Sequence, residues 1–355
     1  MLRSDICIAG AGIIGLSLAL ELKARGLGVI VVERGEPLAE ASTAAAGMLA
    51  ANDPFNPPQL KALSRLSVSL YPGFLDRIER LGGRKTAFQT SRTLQSIRPE
   101  TQQPLAALPT EHLMRIAEGR GPFSIAGFRV LEEQSVDPRQ LASSLLAAAE
   151  AAPVRLLRGS PATSIEAHGT TVVITTPSKR IEAAQFVDCT GAWTHDAAFA
   201  IRPVKGQMLA VELPPEFPLP ITVRTEHFYI VPRIAGPSAG RAIIGATVED
   251  VGFDKEVHAA QIEALHRQAA GLLPQIANAR VVESWSGLRP ATLDGLPLIG
   301  AHPTKQRCWL ATGHYRNGIL LSPATARVMA QLILDEQPAT PLEAFAPCRP
   351  GVFRV

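Results

Sequence analysis

The chain is short of cysteine and tyrosine, and it has no long basic or apolar run. Each shortage excludes something. Four cysteines, Cys7, Cys189, Cys308 and Cys348, are scattered over 355 residues with no CxxC or metal-ligand spacing. That argues against a zinc site or a disulfide scaffold. Three of them sit in apolar, strand-like settings and read as buried thiols in a reducing compartment. Lys and Arg number 35 against 32 Asp and Glu, a net of +3, so charge gives no support to a nucleic-acid partner. The longest uncharged apolar stretch, Ile6–Leu20, has 15 residues between Asp5 and Glu21. It is too short to span a bilayer, and no basic amphipathic anchor accompanies it, so no membrane partner is expected. Arg3 ahead of that run gives it the look of a signal peptide. However, Asp5 stands at its start, and cleavage would remove the glycine motif that follows, so a cytoplasmic location is expected.

What the chain does have begins at once. Residues 6–33 read as an apolar strand (Ile6–Ala9), a turn Gly10-Ala-Gly12-Ile-Ile-Gly15, and a helix over about Leu16–Arg25. A second apolar strand (Val29–Val32) and the acid Glu33 complete the unit. This is the layout of a dinucleotide site. Gly10 permits the tight turn, Gly12 lets backbone approach a pyrophosphate, and Gly15 lets the helix pack closely on the strand. The helix N-terminus presents N–H groups and partial positive charge to the phosphates. Glu33 stands within reach of a ribose diol and would repel a 2′-phosphate, which argues against NADP.

With 46% hydrophobic and 19% charged residues, the composition is that of a soluble globular protein long enough for two domains. The small-residue stretch Ala41–Leu49 can pass close to a ligand. Leu60–Leu81 has helical periodicity, which Tyr71-Pro72-Gly73 should interrupt. Phe88–Ile97 is strand-like, a Pro-rich passage runs on to Pro109, and Asp137-Pro138 should cap a helix reaching Ala149. Val154–Ile165, Thr171–Thr176, Phe186–Cys189, Phe228–Pro232 and Ala242–Thr247 read as strands, and Val257–Leu273 as a helix. Ser284–Gly300 and Cys308–Thr312 are extended, ahead of a last helix around Ile319–Leu334. A nicotinamide dehydrogenase should continue strand–helix alternation. Here strand-rich insertions interrupt the nucleotide-binding elements twice, an arrangement suited to FAD, whose ring must reach a second domain.

Longer matches carry a family resemblance. They are Ala44–Leu49, Thr190-Gly-Ala-Trp193, Val204-Lys-Gly206, Tyr229–Pro232, Gly245-Ala-Thr247, Trp285–Pro290, Asp294-Gly295 and Gly313–Leu321, together with the 10–15 turn and Glu33. Over nearly its whole length the chain resembles the D-amino-acid oxidase class of flavoproteins, most closely the glycine oxidase branch linked to thiamine biosynthesis. The resemblance implies an α/β (overall α+β) fold, in which a Rossmann-like FAD-binding domain is interrupted by a mostly antiparallel β-sheet substrate domain. The FAD-binding domain would take residues 1–85, 138–204 and 287–345, and the substrate and oligomerisation domain 86–137 and 205–286. Residues 346–355 would form a tail.

It further implies noncovalent FAD and oxidation of glycine, with sarcosine or small D-amino acids as possible further substrates. The products would be the imine or glyoxylate, ammonia and hydrogen peroxide, in a homotetramer that hands the imine to thiazole synthase. Cofactor contacts carried over from the family, beside Gly10, Gly12 and Gly15, fall on Ile13, Ile14, Glu33, Arg34, Ser42, Thr43, Ala46, Gly47, Met48 and, near the adenine, Ala162. Thr190, Gly191 and Gly313 join them, as does the flavin-ring loop His314, Tyr315, Arg316, Asn317, Gly318, Ile319 and Leu320. The substrate carboxylate would sit on Arg289 and Tyr229, with Arg316 near substrate and ring. Two departures stand out. Val248 occupies a position where glycine oxidases tend to carry a longer Met or Leu, and the insertion Thr86–Val136 is abbreviated and poorly matched. Gly287–Asp294 holds no cysteine to tether the flavin, so FAD should be free.

Read as residues alone, Arg289 lies among Trp285, Leu288 and Pro290. There it is either an internal ion-pair partner or a bidentate carboxylate clamp. Tyr229 is either a satisfied core tyrosine or a second donor to that carboxylate. Arg316 and Asn317 precede a helix whose N-terminus would stabilise an anionic reduced ring. The plainer reading is a structural turn, with Ser322-Pro323 capping the helix. His227 and His314 are left outside catalysis, and no His–carboxylate dyad is evident. The expected chemistry is hydride transfer from Cα with no protein base. The alternatives are a D-amino-acid dehydrogenase feeding a quinone and, further off, a non-catalytic flavoprotein or a nicotinamide enzyme.

Overall fold

The computed structural model describes residues 1–97, 107–119, 124–125, 127–194 and 196–353, with no side chains for 124–125. Residues 98–106 of the Pro-rich passage lie outside it. The chain opens as the glycine spacing requires, with β1 (Leu2–Ala9), α1 (Ile13–Ala24) and β2 (Val29–Val32). A short α2 (Ala41–Ala44) leads to α3 (Lys61–Gly82), then β3 (Thr93–Ser96), α4 (Thr110–Ala117), β4 (Ser124–Ile125) and β5 (Phe128–Leu131). Next come α5 (Pro138–Ala151), β6 (Arg155–Leu157), β7 (Ser164–His168), β8 (Thr171–Thr175) and β9 (Arg180–Asp188). The second insertion supplies β10 (Arg202–Glu212), β11 (Thr222–Arg224), β12 (Tyr229–Arg233), β13 (Arg241–Gly245), α6 (Ala259–Leu272) and β14 (Val281–Ala291). The chain closes with β15 (Leu298–Ala301), β16 (Cys308–Thr312) and α7 (Gly318–Ile333).

Among the described residues there are two sheets. The first runs β15-β16-β9-β1-β2-β6. It is parallel from β16 to β6, and the β7–β8 pair docks antiparallel on the start of β9. The second runs β14-β10-β13-β12-β11-β3-β5-β4 and is antiparallel except where β11 meets β3. The expected mixed α/β architecture, a parallel nucleotide sheet beside a mostly antiparallel one, is therefore present. Helices α1, α3, α5 and α7 bury their apolar faces in one core with β1, and α4 and α6 cover the second sheet in another. Cys7, Cys189 and Cys308 are free, buried thiols, and Cys348 is free and exposed. Burial pushes the Cys7 thiol up to about 12.

Three local expectations need correction. Helix α3 does not break at Tyr71-Pro72-Gly73 but runs through Pro72. Tertiary contacts outweigh the one backbone bond a proline removes. The Tyr71 hydroxyl donates to the Ile319 carbonyl at 2.6 Å, and the Ser67 hydroxyl to the Leu320 carbonyl at 2.6 Å. Val154–Ile165 is not one strand, because left-handed Gly159 and then Pro161 separate β6 from β7. Ser322-Pro323 does not cap α7, since the helix starts at Gly318 and contains Pro323. Pro323 cannot donate to the Ile319 carbonyl, so Tyr71 and Ser322 do so instead, while Ala324 N–H goes to the Ser67 hydroxyl at 3.2 Å. Helix α3 thus repairs the first turns of α7, and so fixes where that N-terminus points. The Asp137 cap of α5 is as expected, accepting from Arg139 N–H at 2.9 Å.

Candidate active site

A single cleft starts at the glycine turn and ends on the second sheet. At its nucleotide end Gly10 has φ +97°, and a Cβ on Gly15 would lie 1.9 Å from the Gly10 carbonyl oxygen. Only glycine permits that strand–helix contact. The first helical bond of α1 joins Leu16 N–H to Gly12 O at 3.0 Å, and Ile13 N–H is taken by the Ser42 hydroxyl at 2.9 Å. Ile14 and Gly15 keep N–H groups with no partner among the described residues, at the positive end of the helix. Glu33 ties the turn together, one oxygen accepting from Ala11 N–H at 2.8 Å and the other from Gly35 N–H at 2.9 Å. Each oxygen has a further lone pair for a diol. Arg34 stacks 3.7 Å over the Trp193 ring and pairs with Glu40 at 2.8 Å. Thr190 is held by Asp188, its N–H at 2.8 Å and its hydroxyl at 2.6 Å from one carboxylate oxygen.

The middle of the cleft is walled by the Ala44–Met48 segment, whose carbonyls are held from behind. Trp285 Nε1 donates to Ala44 O at 3.0 Å, Arg233 Nη2 to Ala46 O at 2.9 Å, and Val136 N–H to Gly47 O at 2.9 Å. Gly47 has φ +88°, and a Cβ there would sit 2.0 Å from the Val136 carbonyl oxygen. Opposite lies the Gly313–Leu320 loop. Its first helical bond joins Leu321 N–H to Asn317 O at 2.8 Å, so the N–H groups of Gly318, Ile319 and Leu320 precede the ladder of α7. His314 is buried against the Thr325 hydroxyl at 3.0 Å, and desolvation pulls its pKa down to about 3.

At the far end Arg289 and Tyr229 converge although two strands, β10 and β13, separate theirs. Both intervening strands carry glycine at the crossing point. A Cβ on Gly206 would fall 2.2 Å from Arg289 Nη2, and one on Gly245 would fall 2.8 Å from the Tyr229 hydroxyl. Arg289 Nη1 donates to Thr247 O at 3.0 Å and, at 3.4 Å, to Lys205 O. Among the described residues no Asp or Glu pairs with Arg289 or with exposed Arg316. Burial lowers the Arg289 pKa, with Tyr229 and Tyr315 opposing, and raises that of Tyr229, with Arg289, Arg316 and Arg233 opposing. A second cavity, of about 400 Å³, shares Tyr229, Arg289 and Arg316 with the cleft, and its lining includes Val248, which is 64% exposed.

Of the expected cofactor residues, all but three line the cleft. Gly15 lies beneath the turn, the Thr43 hydroxyl is turned to Leu38 O at 3.0 Å, and the Leu320 carbonyl faces Ser67. Arg233, Tyr71 and Ser67 were not foreseen. Their contacts join residues 187, 248 and 253 positions apart, which no local pattern records.

A glycine-cradled nucleotide cleft that ends on an arginine–tyrosine pocket in a second, mostly antiparallel sheet defines a two-sheet, nucleotide-dependent oxidoreductase. The family model described as FAD dependent oxidoreductase matches residues 5–332, and the chain belongs to that family. It is 38% identical over 351 residues to the bifunctional protein ThiO/ThiG of Trichormus variabilis, covering 94% of this chain and 53% of that protein. The chain therefore spans about half the length of that relative. It is 33% identical to a glycine oxidase of Pseudomonas aeruginosa, covering 96% of this chain and 98% of that one. The crystal structure of glycine oxidase from Geobacillus kaustophilus superposes with a TM-score of 0.87 at 31% identity, covering 98% of this chain and 99% of that one. FAD is the cofactor of the family. The residues present fit it, with a glycine cradle, unpartnered helix N–H groups and spare lone pairs on Glu33. No helix among the described residues is long and apolar enough to cross a membrane.

Proposed function

We propose that this chain is an FAD-dependent oxidase of small amino acids, glycine first, yielding an imine that hydrolyses to the 2-oxo acid and ammonia, with dioxygen reduced to peroxide. The observation that carries the reading is Arg289, a guanidinium on the cavity wall with no acidic partner among the described residues, beside the Tyr229 hydroxyl. A structural arginine would be paired, whereas an unpaired planar fork matches a carboxylate.

Bound FAD supplies the two-electron acceptor that takes hydride from the substrate and is reoxidised by oxygen. The protein's part is orientation and electrostatics. Arg289 and Tyr229 hold the carboxylate, Arg316 adds positive charge at the same wall, and the methylene is left facing the cleft. His314, kept neutral by burial and occupied by Thr325, takes no proton. The substrate ammonium loses its proton to water through the second cavity.

In this reading residues 1–85, 138–204 and 287–345 form the FAD-binding domain, 86–137 and 205–286 the substrate domain, and 346–355 a tail. Gly10, Gly12, Ile13, Ile14, Glu33 and the loops around Met48 and Arg316 serve the cofactor. The reading extends, as the family resemblance implies, to a cytoplasmic homotetramer that hands its imine to thiazole synthase. Aerobic turnover of glycine, sarcosine and D-alanine, followed by peroxide and 2-oxo acid, tests it. One peroxide per amine consumed supports the oxidase. Anaerobic flavin bleaching with no peroxide formed in air would make it a dehydrogenase, and neither anaerobic bleaching nor peroxide with any of the three would refute it.

A further inference from the structure

The Ala44–Met48 wall owes its orientation to the Trp285 and Arg233 side chains of the second sheet and to the Val136 backbone. In a trans peptide the C=O and N–H point in opposite directions. Anchoring the Ala46 carbonyl on Arg233 and the Gly47 carbonyl on Val136 therefore turns the N–H groups of Gly47 and Met48 the other way. Both residues line the cleft, and neither N–H has a hydrogen-bond partner among the described residues. Arg233 is 4% exposed. Its nearest carboxylate, Asp137, is 3.8 Å away, and its Nη1 is buried with no partner among the described residues. An apolar side chain would fill the space at less desolvation cost, so what the position contributes is a donor and a charge.

We propose that Arg233 is a positioning residue for the cofactor. Its Nη2 fixes the Ala46 carbonyl so that the Gly47 N–H, beside the Met48 N–H that Val136 sets through the Gly47 carbonyl, faces the hydrogen-bond-accepting edge of the isoalloxazine ring, and its incompletely neutralised charge stands behind that edge. The inference rests on FAD occupying the cleft. Two fixed donors backed by a cation favour the more electron-rich reduced ring, and so raise its reduction potential.

The test uses holo wild type, Arg233→Met and Arg233→Lys, and measures the FAD dissociation constant, the visible spectrum and the midpoint potential. Arg233→Met is expected to bind FAD roughly tenfold more weakly or worse, with a more negative potential and a displaced flavin band. Arg233→Lys keeps the charge but not the planar fork. It should recover most of the potential and little of the affinity. An unchanged apo-protein melting temperature alongside a moved potential separates positioning from a purely structural role. A yellow wild type whose variants keep FAD affinity within twofold and the same midpoint potential would overturn the proposal and leave the cleft assignment standing. A wild type that binds no FAD would overturn both. Should Arg233→Met not fold, Arg233→Lys carries the test alone: tenfold weaker FAD binding supports the proposal, and unchanged binding overturns it.

Discussion

The Arg289 guanidinium lies over Gly206 of the neighbouring strand, close enough that a Cβ there would sit 2.2 Å from Nη2 and 2.5 Å from Nη1. The fork reaches the pocket only because that glycine has no side chain. Gly206→Ala should therefore displace the fork without touching the nucleotide end. Expected are a rise of about 10²-fold in KM for glycine and full retention of FAD. Steady-state kinetics with a flavin-content assay check this, and unchanged KM would show that the fork is placed some other way.

Glu33 does two things with one carboxylate. It closes the turn through Ala11 and Gly35 N–H groups, and it offers lone pairs to the ribose. Glu33→Ala should weaken FAD binding by about 2 kcal/mol, roughly 30-fold, and lower the melting temperature of the apo-protein as well. Isothermal titration of apo-protein with FAD measures the first effect, and an unperturbed dissociation constant would remove Glu33 from the site.

His314 makes stability depend on mild acid. Its folded pKa is depressed from 6.5 to about 3 by burial, so between those values the unfolded chain binds a proton that the native chain refuses. Stability is fully present above pH 6.5 and is lost as pH falls toward 3, by about 2 kcal/mol at pH 5. Urea unfolding of wild type and His314→Gln at pH 7.5 and pH 5 should show a steeper loss in wild type. Parallel losses would contradict the assignment.

How much of this was legible follows from the range of each interaction. The Gly10, Gly12, Gly15 and Glu33 pattern is short-range, because a turn, a close approach and a strand end each constrain residues within one βαβ unit. Arg289 and Tyr229 were found through the motifs that carry them. Why they meet was not visible, since it depends on Gly206 and Gly245 lying in strands between theirs. Arg233, and the patching of α7 by Ser67 and Tyr71, were missed because both are contacts between distant segments. Pro72 and Pro323 misled for a related reason: local rules count the bond a proline removes, but not the Tyr71 hydroxyl that serves the Ile319 carbonyl ahead of Pro323, nor the tertiary contacts that hold α3 through Pro72.

Val248 is an exposed apolar residue of the second cavity's lining. Lengthening it with Val248→Met should leave glycine turnover unchanged while lowering kcat/KM for N-ethylglycine about tenfold, the scale of a one-heavy-atom change in an apolar pocket. Equal loss for both substrates would mean the side chain acts on the ring or on Arg289 instead.

The central claim is that a carboxylate on Arg289 is what brings a small amino acid into reaction with bound FAD. Anaerobic titration of the holoprotein with glycine, following the oxidised flavin band, tests it most directly. Wild type should bleach, and Arg289→Ala, still fully yellow, should need at least about 10²-fold more glycine to do so. Equal bleaching of the two at equal glycine would contradict the account.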